Sequence, residues 1–580
     1  MFAELLKAIF RRRGAHPAVS VSVLGAGADQ AKALSIQVAA RHVEAGELAR
    51  AQEIAAQLLR TDPQHADAWN LLGAIALAGG HDEIAVREFE HAIELEPQNT
   101  KFLSNCGEAC RRAGWIDDAI EHCRAAVASA PSSAIAFYNL GAALLAAGEA
   151  EQAHSALKHG LALQPGAITQ RSSLLFVLCH LENFDRKEIL AEHMRWNELH
   201  ARALAPLKPP QLSLTELAGK IRVGFVSGDF RQHSLAYFIE PLFAHHDREH
   251  FEFFGYSNTL KPDDVTGQLR PQVAHWRDIT ALSDEGAAGL IAEDQIDVLI
   301  DLSGHTARSR LLVFARKPAP VQITYVGYPN TTGMTAMDYR ISDSYMDPPG
   351  VSEAMYTETL LRMPHGLWCY RPPALAPAIN ALPAQKNGWI TFGSPHGIAK
   401  INQSVLEVWA DVLEQVPDSR LVMAGVPEGA TRRRLKESFS SKGIEASRIE
   451  ILGKLNFDDY FKFYHRVDVV LDAFPYTGGT TTCESLWMGI PVITLAGDYG
   501  VSRAGVSLLS GAGLSEMIAA SVVQYAQIAV RLSRDVTALA ELRAGLRERL
   551  KQSSLMDEVG FTRAFEGQLV LACHMTSNNQ

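Results

Sequence analysis

Residues 474–497 read FPYTGGTTTCESLWMGIPVITLAG, two glycines, three threonines and a glutamate between an apolar strand and an apolar helix. The spacing is neither a P-loop nor a dinucleotide fingerprint. It does describe a helix start: free N–H groups at Gly478, Gly479, Thr480, Thr481 and Thr482, with the positive end of the helix dipole, suit a pyrophosphate. Glu484 lies one turn in, where its carboxylate can accept ribose hydroxyls. Ordinary capping by threonine, with a glutamate near the N-terminus, explains the same residues without a ligand.

Lys400, in GSPHGIAKINQSVLEVW, stands just beyond a strand. A lysine entering a helix is usually only solvated, but beside a phosphate site it can neutralise a departing diphosphate in place of a divalent ion. His233, in SGDFRQHSLAYF, is a lone histidine and structural by default; its place at a strand end favours a role. No Asp-x-Asp pair accompanies them, nor a Ser or Cys nucleophile with a histidine partner motif.

The elements that must hold these residues begin after residue 215. IRVGFVSGDF (221–230), FEFFGYS (251–257), IDVLIDLSG (296–304) and VQITYVGYP (321–329) read as buried strands closed by Gly, Ser or Asp. A second series follows: WITFGS (389–394), SRLVMAG (419–425), RIEILG (448–453), VDVVLDAF (467–474) and PVITLAG (491–497). The Pro- and Ala-rich stretch 371–388 separates the two series. Two Rossmann-like lobes joined by a linker put a ligand cleft between their strand ends. Ser227, Asp229, Phe230, His233, Ser303, Gly304, His305, Gly327, Tyr328 and Pro329 should face it from one side. Ser394, His396, Lys400, Gly453, Lys454 and 475–484 should face it from the other.

The first third repeats. Pro63, Pro97, Pro131 and Pro165 are 34 residues apart, and Gly73, Gly107 and Gly141 share the period. So do Gly46, Gly80, Gly114 and Gly148, and Ala51, Ala85, Ala119 and Ala153. Small residues sit where two antiparallel helices touch, the second glycine turns the chain, and proline ends the pair. The pattern resembles tetratricopeptide repeats at 32–65, 66–99, 100–133 and 134–167, a solenoid whose concave face binds extended peptide.

MFAELLKAIFRRR is an amphipathic helix rather than a signal peptide or membrane span, since Glu4 and Lys7 interrupt its apolar run. Gly25 and Gly27 mimic a dinucleotide turn, but the third glycine is missing. A net charge of −11 argues against nucleic acid as a partner. Seven scattered cysteines, with no CxxC pair and no zinc-type spacing, read as reduced core thiols of a cytoplasmic protein, with no metal.

Taken together, the repeats, GFVSGDFRQHSLAYF, RKPAPVQITYVGYPNTTGMTAMDY and GGTTTCESLWMGIPVITL resemble the protein O-linked N-acetylglucosamine transferases. The bacterial members of that family are often grouped with the plant SPINDLY proteins. The likeness covers nearly all of the chain past residue 32. It implies an α + α/β architecture, a TPR superhelix followed by a GT-B glycosyltransferase of two Rossmann-like lobes. The implied activity is inverting, metal- and cofactor-independent transfer of N-acetylglucosamine from UDP-GlcNAc to Ser or Thr of proteins threaded along the repeats.

By the same resemblance Lys400 contacts the β-phosphate and stabilises departing UDP, and His233 is a candidate base or donor contact. His193, in RKEILAEHMRW, matches a second active-site histidine. Gly327 and Tyr328 border the sugar pocket, Thr480 and Thr481 bind phosphate, and Glu484 takes the place of a ribose-binding Asp. Tyr460 falls near a uracil contact. The animal enzymes carry His at Gly479, an amide at Gly397 and His at Tyr237, so GDP-fucose or UDP-glucose stay open as donors. An inactive transferase domain on a repeat scaffold is the remaining alternative.

The expected division is a cap at 1–31, repeats at 32–167, a helical linker at 168–215 and a first lobe at 216–375. An interlobe linker at 376–387, a nucleotide-binding lobe at 388–545 and a C-terminal helix and tail at 546–580 complete it.

Overall fold

A computed structural model describes residues 28–207 and 219–578. The helix expected at the N-terminus and the Gly25–Gly27 turn lie outside the described residues. Two compact units separate. One reaches to Leu174 and includes Pro427–Arg432; the other comprises Leu175–Val426 and the chain from Arg433 onward.

The first unit is built of helix pairs: Ala28–Glu44 with Leu48–Thr61, Ala66–Gly79 with Asp82–Leu95, Thr100–Ala113 with Ile116–Ser129, and Ala134–Ala146 with Ala150–Leu163. The period-34 residues explain the pairing. A Cβ on Gly73 would stand 2.6 Å from the Phe89 ring, one on Gly107 2.5 Å from Cys123 Sγ, and one on Gly141 2.8 Å from Leu157. Glycine therefore lets the two helices of each pair approach. Gly46, Gly80, Gly114 and Gly148 all take left-handed φ between 76° and 87°, the conformation that turns the chain into the second helix.

The second unit holds two parallel sheets. The first runs in the order β3-β2-β1-β4-β5-β6-β7. Its strands are β1 Ile221–Ser227, β2 Phe251–Ser257, β3 His275–Asp278, β4 Val298–Asp301, β5 Val321–Thr324, β6 Tyr339–Asp343 and β7 Thr359–Met363. The second runs β10-β9-β8-β11-β12-β13. It comprises β8 Thr391–Ser394, β9 Arg420–Met423, β10 Ile449–Ile451, β11 Val469–Leu471, β12 Val492–Leu495 and β13 Ile518–Ala519. Both sheets reverse direction beside their first strand, between β1 and β4 and between β8 and β11, and ligands bind outside strand C-termini at such switch points. These lobes are the expected Rossmann-like pair.

Strands β3, β6, β7 and β13 were not among the expected ones. The expected boundary at 545 falls inside the helix Val536–Lys551. The final helix, Glu558–Asn578, then packs Phe561, Phe565, Leu569 and Cys573 into the core of the first lobe, so the chain ends where its α/β region began.

Candidate active site

Strand β11 ends at Asp472, a buried carboxylate that governs the loop after it. It accepts from Gly478 N at 2.7 Å through Oδ1 and from Thr494 Oγ1 at 2.7 Å through Oδ2. Burial pushes it up to about 6, against these hydrogen bonds and the charge of Lys400. Thus tethered, the loop delivers Gly479 as N-cap of the helix Thr480–Trp487, without a side-chain cap. The N–H groups of Thr480 and Thr481 find no acceptor among the described residues, and both residues are partly open to solvent. The Thr482 and Ser394 hydroxyls are buried and unpartnered among the described residues. Orphaned polar atoms gathered at one loop mark a place where a ligand completes the hydrogen bonding.

Lys400 ends the short turn Ile398–Lys400 after β8. Its Nζ donates to Thr477 O at 2.8 Å and lies 3.8 Å from the centre of the Tyr476 ring. Burial lowers its ammonium to about 8, with Asp472 pulling the other way. The lysine and the threonine loop therefore share one place, as their chemistry requires. Tyr476 is itself backed by His180 and Phe176, with ring centres at 5.0 and 6.3 Å. His396 completes the floor, with Nδ1 3.3 Å from Thr481 Oγ1 and Nε2 3.3 Å from Asp472 Oδ1. Burial drives its ring down to about 3, so it is neutral at physiological pH.

Glu484 is buried and accepts from the Tyr460 hydroxyl at 2.7 Å; that hydroxyl also lies 2.7 Å from Tyr464 Oη. Burial raises Glu484 to about 7 despite the phenols. Tyr460 and Glu484 thus meet each other. Gly327 packs so closely on the β4 end that a Cβ would fall inside the Leu302 carbonyl. The loop beyond it is fixed by the buried Arg340, which donates to Asn330 O at 2.7 Å and Tyr328 O at 3.0 Å.

His193 and Tyr328 are not open to a cleft. Both are buried, and the Tyr328 hydroxyl donates to His193 Nε2 at 2.8 Å. His193 Nδ1 faces Ile189 O at 2.7 Å and so carries the proton, which leaves neither ring nitrogen for a substrate. Burial lowers this histidine to about 4. His233 is the open one: Leu235 N donates to its Nδ1 at 3.3 Å, Asp229 stands 4.0 Å away, and burial lowers its pKa. The structure thus brings Lys400, Gly478 to Thr482, Tyr460 and Glu484 together in the second lobe, and pairs His193 with Tyr328 against the first. Sequence reasoning missed Asp472, Tyr464 and His180. Only Asp472, an acid ending an apolar strand, carried a local signal.

The family profile described as glycosyl transferase family 41 matches residues 168–370 and 382–565. The chain belongs to that family. A tetratricopeptide-repeat profile matches overlapping stretches from 39 to 168. A family 41 relative, a probable UDP-N-acetylglucosamine–peptide N-acetylglucosaminyltransferase SPINDLY of Oryza sativa subsp. japonica, is 42% identical over 59% of this chain and 38% of its own length. The corresponding transferase of Caenorhabditis elegans is 25% identical over 66% of this chain and 43% of its own. The chain therefore spans well under half the length of these relatives. A solved point variant of the O-GlcNAc transferase of Thermobaculum terrenum superposes with TM-score 0.81 at 34% identity, covering 88% of this chain and 98% of that one. Its fold is that of the GT-B family member expected from the motifs.

Proposed function

We propose that this family 41 protein transfers N-acetylglucosamine from UDP-GlcNAc to Ser or Thr hydroxyls of proteins recognised by its repeats, in the cytoplasm, with inversion and without a metal. The observation that carries the reading is Lys400 set beside an uncapped helix N-terminus with free N–H groups. The names of the relatives support the donor and the peptide acceptor.

In this mechanism the acceptor oxygen bonds to the anomeric carbon as the bond to the diphosphate oxygen breaks, and the electron pair leaves with UDP. Lys400, the Thr480 and Thr481 amides and the helix dipole stabilise that charge, the dominant kind of catalytic term. The acceptor proton goes to His233 Nε2 or to a donor phosphate oxygen. His193 serves as a positioning residue that fixes Tyr328, and through it the loop after Gly327. Glu484 and Tyr460 flank the nucleoside.

One observation favours a different donor. Nothing lies within 4 Å of a Cβ built on Gly479 or on Gly397, so the places of the animal histidine and amide are open space. A donor of another shape, UDP-glucose or GDP-fucose, has room there. Calorimetry with UDP and with GDP separates the nucleotides: tight UDP and weak GDP binding support the reading, and the reverse order overturns it.

A further inference from the structure

Three of the chain's seven cysteines, Cys106, Cys110 and Cys123, fall in one repeat, residues 100–133. Cys106 and Cys110 are one turn apart on the helix Thr100–Ala113, both buried, with Sγ atoms 4.0 Å apart. His122, half-buried, comes from the partner helix Ile116–Ser129. One ligand atom from each of the three lies within 4.8 Å of the others. A tetrahedral zinc ion with Zn–S bonds of about 2.3 Å needs S···S edges of about 3.8 Å. The two thiols already stand at that separation.

The neighbouring repeats supply an internal comparison. At the positions of Cys106, Cys110 and His122, the repeat before carries Leu72, Ala76 and Glu88, and the repeat after carries Leu140, Leu144 and Ala156. Packing at these positions is satisfied without a thiol or an imidazole. Only the third repeat places soft ligands at all three. Cys123 has a different explanation: its Sγ fills the slot beside Gly107 that Phe89 and Leu157 fill beside Gly73 and Gly141. It packs, and the other three converge. The local spacing, C-x-x-x-C followed by His122 on the next helix, is unlike zinc-finger spacing, so the cluster emerges only when the helices pair.

We propose that the third helical repeat holds a divalent ion of the zinc class between Cys106 Sγ, Cys110 Sγ and the His122 imidazole. The donor set, two thiolates and one imidazole, selects a borderline-soft cation over calcium or magnesium. Binding forms two metal–sulfur bonds and one metal–nitrogen bond, and the two thiol protons leave to solvent. Burial holds the Cys106 proton strongly, so affinity rises with pH. His122 is the half-open member and so the side from which the ion enters and a water takes the fourth position. The ion ties the two helices of the repeat together.

The test uses the full-length protein, reduced and stripped with a chelator, and titrated anaerobically with Co2+. One equivalent should give thiolate-to-cobalt charge transfer in the near ultraviolet and intense tetrahedral ligand-field bands, both erased by stoichiometric Zn2+. His122→Ala, at a half-exposed position that tolerates alanine in the next repeat, should weaken cobalt binding about tenfold or more. The triple variant Cys106→Leu, Cys110→Leu, His122→Ala carries the fourth repeat's residues, should keep its helical circular dichroism, and should lose both the bands and any Zn2+-induced rise in Tm. Absence of charge transfer at one equivalent overturns the site. So do equal bands in the wild-type protein and in His122→Ala.

Discussion

Raising the pH from 7 to 9 should weaken UDP binding about tenfold, because Lys400 loses its proton inside that window. Its ammonium sits at about 8 in the free protein, held down by burial next to Tyr476 and Thr477. A diphosphate partner favours the charged form and raises that pKa, so binding takes up a proton wherever free Lys400 is neutral. The apparent affinity then falls by roughly 1 + 10^(pH − 8), about 1.1 at pH 7 and about 11 at pH 9, or about 1.4 kcal/mol. Asp472 at about 6 and Glu484 at about 7 titrate below the window. The uracil imide titrates just above it, so the series stops at pH 9. Calorimetry in two buffers of different ionisation enthalpy reads the proton directly: uptake of about 0.1 at pH 7 and about 0.9 at pH 9. Lys400→Met should bind more weakly with a flat profile. A change below about twofold in the wild-type protein, or the same slope in Lys400→Met, refutes the assignment of that charge to the phosphates.

Three further outcomes follow from the same geometry. Glu484 has its pKa raised to about 7, so its buried charge opposes folding above the unfolded carboxylate pKa. Glu484→Gln should therefore gain on the order of 2–3 kcal/mol at pH 8 and little at pH 5, read as Tm at the two pH values. Gly327→Ala forces a methyl into the Leu302 carbonyl and should cost about 3 kcal/mol, seen as a lower urea midpoint with unchanged helix signal from the repeats. Tyr328→Phe strips the donor from the buried His193 Nε2 and should cost about 1–3 kcal/mol, while the pH–rate profile keeps its wild-type shape because His193 is already neutral; a displaced acid limb would instead make His193 the titrating group.

The repeats were legible because a 34-residue period is written in several registers at once, and each register is a contact or a turn. Strands such as Ile221–Ser227 were legible as apolar runs with a closing small residue. The missed strands lack that signature. His275–Asp278 is an edge strand that reads HWRD, and Ile518–Ala519 is two residues long. Tyr339–Asp343 contains a buried arginine whose carbonyl partners lie 10 and 12 residues earlier, so its burial is a tertiary fact. The threonine loop and Lys400 could be singled out by type and position. That His193 spends both nitrogens on Ile189 and Tyr328 depends on a contact across 135 residues, and no local pattern announces it. Equally, Tyr460 and Glu484 read as separate nucleoside contacts until the structure joined them.

The central claim is transfer of a sugar from a uridine nucleotide with Lys400 bearing the leaving charge. The direct measurement supplies radiolabelled UDP-GlcNAc, UDP-glucose or GDP-fucose, with EDTA, to the purified protein and an extract of proteins from its own source, and counts label released by alkaline β-elimination. The account predicts label on protein from UDP-GlcNAc in the presence of EDTA, and its loss in Lys400→Met. Label from GDP-fucose in place of UDP-GlcNAc, a requirement for metal, or full transfer by Lys400→Met would contradict it.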